Sequence, residues 1–422
     1  MEKIVINGGK PLKGEVFVTG AKNAALGIIP AAILAETPSE IENVPDIQDI
    51  KNYITMLRKI GATVEQDGNT LRIDPSGIHY DNIVNIEEES RKMRASYYMY
   101  GALLSKYRRV MLPLPGGCDL GARPIDMHIK AFEALGAKVE IKNGYLNANA
   151  EKLTGADIYF DITSVGATIN TMLAAVMAEG TTVLENAAKE PHVVDAANFM
   201  NYMGARINGA GTDTIKIRGV KELFGCNYSV VPDQIRAGTY MMAAVATGGD
   251  ILIKGIIPEH LESVTAKLIE MGSKVIEYDD AIRVIGMKPI KAVNVRTMPH
   301  PGFPTDLQQP MGVLMCLAKG TSMITENIFE SRFKYVNELT KMGARVTVTN
   351  GNVAIFHGGD KLMGARINAT DLRAGAAMVI AGLVAEGETI VGGLEHIDRG
   401  YEDIVGKYAS LGADIKKVNF EE

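Results

Sequence analysis

MLRKIGATVEQ (56–66) reads as the end of an amphipathic helix, a glycine at Gly61 that stops it, and a strand that begins at once. The same passage returns five times, as AFEALGAKVEI (131–141), FMNYMGARING (199–209), LIEMGSKVIEY (268–278), ELTKMGARVTV (338–348) and YASLGADIKKV (408–418). Its glycines, Gly61, Gly136, Gly204, Gly272, Gly343 and Gly412, follow one another at steps of 75, 68, 68, 71 and 69 residues. A period held that closely means repeated supersecondary units and sets the architecture before any other argument. Residues that interrupt the repeat then need a reason beyond folding.

A second shared passage joins two strands through a G-x3-L-x-G turn or a variant of it: INGGKPLKGEVFV (6–18), IRGVKELFGCNYSV (217–230), VIGMKPIKAVNV (284–295) and IFHGGDKLMGARIN (355–368). Alternating apolar and polar residues suit half-buried strands, and the glycines suit tight turns. Each unit also carries a segment that is apolar on nearly every side and rich in Ala, Gly and Met, such as AALGIIPAAILAE (24–36) or AAMVIAGLVAEG (376–387). Such a helix is buried all round, whereas the one ending in the repeated glycine is amphipathic. The chain is therefore α/β, with one interior helix, one surface helix and several strands per unit.

Six units suggest two groups of three. The last repeat has no G-x3-L-x-G pair after it, and residues 1–20 are such a pair with no repeat before it. Closing the ring predicts one domain over 22–230 and another from 1–21 with 231–422. The chain then crosses between them near Lys22 and near Val231-Pro232, a double connection suited to hinge closure around a ligand in the cleft between the domains.

The 422 residues, with 46% hydrophobic and 22% charged, describe an ordinary globular protein of two or three domains. A net charge of −6 gives no basic footprint for nucleic acid. No apolar run reaches the ~18 residues of a membrane span, and the N-terminal MEKIVINGGK has no secretory core. Three cysteines in no disulfide or zinc spacing fit a reduced, cytoplasmic protein.

Four features do not read as scaffold. The loop PLPGGCDLGARPID (113–126) is longer and richer in Gly and Pro than its counterparts, and it carries Cys118 five residues before Arg123. A thiol near a guanidinium is readily ionised and suits a nucleophile or a proton shuttle; the plain alternative is an ordinary loop cysteine. Cys316 reads as core and Cys226 as a strand residue. Lys22-Asn23 falls at the first crossing, where Lys22 is either an anion-binding point charge or a solvated linker lysine. Arg94, Arg236, Arg373 and Arg399 lie at helix starts or in late loops. A cation at a helix start asks for an anion, a ligand or a neighbour such as Asp371, while the charges of HIDRGYED suit capping of the final helix. Finally, Ser164 to Thr168 and Pro304-Thr305-Asp306 precede interior helices. They are either N-caps or anion sites at free helix amides; Asp306, after the stiff run PHPGFP, is also a fixed carboxylate suited to a general base.

Lys22-Asn23, MRAS (93–96), GGCDLGARPID (116–126), SVGAT (164–168), PHPGFPTD (299–306), NIFESRF (327–333), DLRAG (371–375) and HIDRGY (396–401) occur together in this order. Over essentially its whole length the chain resembles the UDP-N-acetylglucosamine enolpyruvyl transferases. The resemblance implies two inside-out α/β barrel-like domains of three similar units each. It also implies transfer of the enolpyruvyl group of phosphoenolpyruvate to UDP-N-acetylglucosamine through a tetrahedral ketal, with release of phosphate and no cofactor or metal, as the first committed step of peptidoglycan synthesis. By the same resemblance Cys118 donates the proton to the methylene carbon and can form an adduct, and Asp306 takes the sugar hydroxyl proton. Lys22, Arg123 and Arg399 clamp phosphoenolpyruvate. Asn23, Arg94, Arg123, Pro124, Ile125, Asp126, Met127, Ser164, Val165, Gly166, Asp306 and Ile328 hold the nucleotide sugar, and Asp371 and Arg373 pair near the closing interface. An acid and a base flanking the substrates, several cations and exclusion of water are what such a reaction needs. Ile162, followed by Thr163, departs from members with a basic residue two positions before Ser164. Retention of Cys118, where other members have aspartate, predicts alkylation by an epoxide.

Two rivals lead elsewhere. A sister transferase acting on shikimate phosphate shares fold and chemistry but lacks the cysteine loop. A six-unit ring that clamps DNA needs a basic inner face, whereas these innermost helices are apolar.

Overall fold

The six helix-ending glycines adopt one conformation in the computed structural model, which describes residues 2–116, 125–359 and 361–420. Each has φ between 93° and 109°, where a side chain is strained, so the chain can leave the helix and enter the next strand within two residues. Gly61 is constrained twice, because a Cβ there would lie 2.1 Å from the carbonyl oxygen of Gly77.

The apolar segments form six helices, named here α1 (Lys22–Ala32), α2 (Tyr98–Tyr107), α3 (Val165–Ala175), α4 (Gln234–Thr247), α5 (Gln308–Leu317) and α6 (Leu372–Val384). Almost every residue of each is buried. Small residues allow the close approach this requires: a Cβ on Gly101 of α2 would meet the Asn170 backbone oxygen of α3 at 2.4 Å. The helices that precede the repeated glycine, such as Gln48–Ile60, bury one face only.

The strands form six sheets among the described residues, five of four strands and one of three. One order recurs. Lys274–Glu277, Ala281–Ile285 and Asp250–Lys254 run antiparallel, and Lys13–Phe17 adds in parallel, with Ile251 opposite Gly14. The three-stranded sheet of Lys138–Lys142, Tyr145–Asn149 and Arg109–Pro113 lacks the parallel member. The G-x3-L-x-G turn now has its reason. A Cβ on its first glycine (Gly8, Gly219, Gly286 or Gly358) would fall 1.6 to 2.4 Å from a carbonyl oxygen at the end of a buried helix. The turn's Leu12, Leu223, Ile290 or Leu362 is buried beside it.

The chain divides into two compact units, residues 20–116 with 125–231 and residues 2–19 with 232–420, each with its own hydrophobic core. In the second, Glu2–Asn7 lies between Glu388–Gly392 and Asp414–Asn419, which brings the first strand to the last repeat. In the first, Asn227–Ser229 pairs in parallel with Ser39–Glu42. The connecting segments are tied within each unit. Ala21 N donates to Val231 O at 2.7 Å in one, and Asp233 N donates to Thr19 O at 3.1 Å in the other. No helix is long and apolar enough to cross a membrane among the described residues.

Candidate active site

In the unit holding residues 232–420, the run PHPGFP folds back on itself, with Met298 N donating to Phe303 O at 3.0 Å. A single turn of 3-10 helix, Thr305–Leu307, follows and leads into α5. Neither Thr305 nor Asp306 caps this start. The Asp306 carboxylate instead accepts from Arg332 Nη2 at 2.7 Å on one oxygen, and from Arg373 Nε at 3.1 Å and Nη2 at 3.0 Å on the other. Both guanidiniums are buried, while the Asp306 side chain keeps 23% of its surface. Burial alone would raise this carboxyl; the Arg373 and Arg332 charges outweigh it and hold it well below the usual carboxylate range. The anion that balances Arg373 at its helix start is thus Asp306. Asp371 has another task, accepting from Arg373 N at 2.9 Å and Ala374 N at 3.0 Å as the N-cap of α6.

Arg332 Nε and Arg373 Nη1 are buried and have no hydrogen-bond partner among the described residues. Two guanidinium donors left over beside one shared carboxylate make this corner suited to a further anion. Tyr401, whose ring lies 5.5 Å from the Arg373 guanidinium, is two residues beyond Arg399. The final helix is capped by Asp403, which accepts from Gly406 N at 3.0 Å, so Arg399 is not needed there. Ile328 is held by its own amide, which donates to Glu326 Oε1 at 2.8 Å. Arg236 belongs to the scaffold, buried between Asp233 at 3.4 Å and Glu402 at 3.5 Å.

The other unit gathers a second set of residues around Tyr97. Ser164 caps α3, accepting from Ala167 N at 3.3 Å, and is followed by Val165 and Gly166. A Cβ on Gly166 would lie 2.7 Å from the Tyr97 hydroxyl oxygen, so the ring needs that glycine. Arg94 opens the short turn Arg94–Tyr97 and lies 5.8 Å from the Tyr97 ring. Ile125, Asp126 and Met127 start the helix Asp126–Ala134, and His128 meets Tyr97 edge-on at 4.8 Å. Burial pushes the His128 imidazole down to about 3, with the Arg94 charge adding to it. Asn170 Nδ2 donates to Tyr97 O, so it meets His128 Nδ1 at 2.9 Å as a donor, which leaves the ring hydrogen on Nε2. Lys22 is not a solvated linker residue: it opens α1, is 6% exposed and pairs with buried Asp49 at 2.8 Å. Asn23 beside it is half-buried.

Cys118, Arg123 and Pro124 lie outside the described residues. The flanks of their loop are anchored. Tyr100 donates to Pro113 O at 2.7 Å, and a Cβ on Gly116 would run into the carbonyl of Arg91. Of the other cysteines, Cys316 is core, its thiol pushed up to about 12 by burial. Cys226 stands just before the strand Asn227–Ser229 rather than within it. Ile162 is exposed, and Thr163 donates to Asn186 Oδ1 at 3.1 Å.

The protein-family model for EPSP synthase (3-phosphoshikimate 1-carboxyvinyltransferase) matches residues 6–408. The chain is 59% identical over 418 residues to UDP-N-acetylglucosamine 1-carboxyvinyltransferase 3 of Caldanaerobacter subterraneus subsp. tengcongensis, covering 99% of this chain and 100% of that one. It belongs to the enolpyruvyl transferase family. Within that family it stands with the UDP-N-acetylglucosamine 1-carboxyvinyltransferases, being also 56% identical to the one of Clostridium botulinum (99% and 100% covered). Among solved structures, the enolpyruvyl transferase NikO from Streptomyces tendae superposes with a TM-score of 0.86 at 27% identity, covering 99% of this chain and 98% of that one. EPSP synthase from Acinetobacter baumannii, at 19% identity and a TM-score of 0.75 over 99% and 100% of the two chains, shares the fold. An enolpyruvyl transferase of two three-part α/β lobes accounts for the repeat, and the DNA-clamp alternative is set aside.

Several members of the two residue sets, His128 and Asn170 among them, are not marked by the sequence. Arg332 lies inside NIFESRF, where only Ile328 was singled out; Asp49 and Tyr97 carry no local signal beyond standing near marked residues.

Proposed function

We propose that this transferase moves the enolpyruvyl group of phosphoenolpyruvate onto a hydroxyl of UDP-N-acetylglucosamine and releases phosphate, in the cytoplasm, as the step that commits the sugar to peptidoglycan. The observation that carries the reading is the end-to-end identity to enzymes bearing that name, 59% over 418 residues. The chemistry of Asp306 and its two arginines supports it. The shikimate phosphate acceptor is disfavoured by the same identity and by the GGCDLGARP loop.

In this reading the lobes close over both substrates. Cys118 protonates the methylene carbon of phosphoenolpyruvate, and its neighbour is attacked by the sugar hydroxyl to give a tetrahedral ketal. Lys22, Arg123 and Arg399 neutralise the phosphate and carboxylate. Asn23, Arg94, residues 123–127, Ser164 to Gly166 and Ile328 hold the nucleotide sugar. Asp306 accepts the hydroxyl proton. Paired as it stands, Asp306 is a weak base, because two guanidiniums stabilise its charge. An incoming phosphate and carboxylate compete for those guanidiniums, and each hydrogen bond they take returns proton affinity to Asp306. Substrate binding thereby prepares the base. In the elimination the Cys118 thiolate takes a proton back from the methyl carbon while the C–O bond to phosphate breaks, which restores the double bond; the departing phosphate also draws on the cations.

Cys118→Ala tests the acid. Turnover is expected to drop by roughly 10²–10⁴-fold with the circular dichroism spectrum and melting temperature unchanged. Near-normal phosphate release at neutral pH would refute the assignment.

A further inference from the structure

A second carboxylate is linked to Asp306 through Arg332 and Thr305. Glu326 is 2% exposed, and among the described residues the groups bonded to its carboxylate are neutral donors. Oε1 accepts from Thr297 Oγ1 at 2.9 Å, Ile328 N at 2.8 Å and Phe329 N at 3.1 Å; Oε2 accepts from Thr305 Oγ1 at 2.9 Å. The directions are fixed. Arg332 Nη1 can only donate, and it donates to Thr305 Oγ1 at 3.0 Å. The single hydroxyl hydrogen of Thr305 therefore goes to Glu326. Likewise Asn327 N donates to Thr297 Oγ1 at 2.9 Å, which turns the Thr297 hydrogen to Glu326. Arg332 uses its other terminal nitrogen on Asp306 at 2.7 Å. One line of oriented hydrogen bonds thus runs from Asp306 through Arg332 and Thr305 to Glu326, and the other oxygen of Glu326 fixes the Ile328 amide.

We infer that Glu326 is a positioning residue that, through the Thr305 hydroxyl, holds the Arg332 fork on Asp306 and ties that cluster to the Ile328 segment. The inference rests on the transferase reading above. A glutamine at this position keeps an oxygen for the two amides on the Ile328 side, because an NH2 group there would oppose two N–H donors. Its NH2 group must then face Thr305, whose hydroxyl hydrogen loses its acceptor and turns away. The damage falls on Arg332 and Asp306, while the Ile328 side is spared.

The test is steady-state phosphate release from phosphoenolpyruvate with UDP-N-acetylglucosamine. E326Q is expected to lower kcat by about tenfold or more, with KM for UDP-N-acetylglucosamine moving by less than about threefold. Thr305→Val, which removes the relay hydroxyl, is expected to match that loss. The double variant is expected to be no worse than either single one, since both cut the same line. Thr305→Ser, which keeps the hydroxyl, is expected to recover most of the turnover lost in Thr305→Val. An unchanged kcat in E326Q with an active wild type overturns this assignment alone, as do losses that multiply in the double variant. Should E326Q fail to fold, equal turnover by the Thr305→Ser and Thr305→Val variants overturns it. No phosphate release by the wild type overturns the transferase reading, and this assignment with it.

Discussion

Asp306 is held by the same two partners that lower its basicity, and the proposed reaction asks it to act as the base. Its charge is shared by two buried arginines, which fixes its position and lowers its basicity together. Asp306→Asn is expected to cut kcat by roughly 10²–10⁴-fold while KM for the nucleotide sugar changes far less; a loss confined to KM would refute the base. The same variant has a stability signature. The folded pKa lies below the unfolded value of about 3.9, so the carboxylate contributes stability that is fully present above that pH and lost as pH falls through the folded value. The melting difference between wild type and variant should shrink from pH 7 towards pH 3. At neutral pH it should lie between the ~1 kcal/mol of an exposed pair and the ~3–5 kcal/mol of a buried one. The sequence marked Asp306 and Arg373 because a stiff turn and a helix start are local signals. It did not mark Arg332 or Glu326 as parts of one site, because what defines them is a partner 26 or 21 residues away.

Elements were the most legible scale. A helix stop repeated at near-constant spacing and six helices apolar on every face are periodic signals, and periodicity survives folding. Strand partners were less legible. That Lys13–Phe17 lies beside Asp250–Lys254 depends on ring closure over more than 230 residues, and no local pattern encodes it. The stop glycines nevertheless differ in what they tolerate. A Cβ on Gly412 meets nothing within 4 Å, whereas one on Gly61 strikes the Gly77 carbonyl. Gly412→Ala is expected to cost about 1 kcal/mol of backbone strain and Gly61→Ala clearly more. Urea midpoints of the two variants measure this, and equal shifts would contradict it.

The segment that leaves one unit is held by a buried titrating group on the helix Pro191–Tyr202. Asp195 is 6% exposed, accepts from the Tyr228 hydroxyl at 2.5 Å and from Val231 N at 3.1 Å, and forms no ion pair among the described residues. Burial pushes its carboxyl up to about 6 despite those two donors. The unfolded chain releases this proton near pH 3.9, so stability falls as pH rises from about 4 to about 6 and is level above. Replacing Asp195 by Asn should abolish that decline. The stability of the variant relative to wild type should climb by about 3 kcal/mol across this interval in denaturation measured at each pH; a constant difference would refute it.

On the scale of the whole molecule, the residues that the proposed reaction uses are divided between the two units. Lys22, Arg94, Ser164 to Gly166 and the anchored ends of the Cys118 loop are on one, and Asp306, Arg332, Arg373 and the Arg399 turn are on the other. In the proposed reaction the acid and the base come from different lobes, so both lobes act on the same pair of substrates. Phosphate release with phosphoenolpyruvate, measured in parallel with UDP-N-acetylglucosamine and with shikimate 3-phosphate as acceptor, tests this most directly. One phosphate per enolpyruvyl-UDP-N-acetylglucosamine formed, and none with shikimate 3-phosphate, is the predicted result. Release with shikimate 3-phosphate alone, or with neither acceptor, would contradict it.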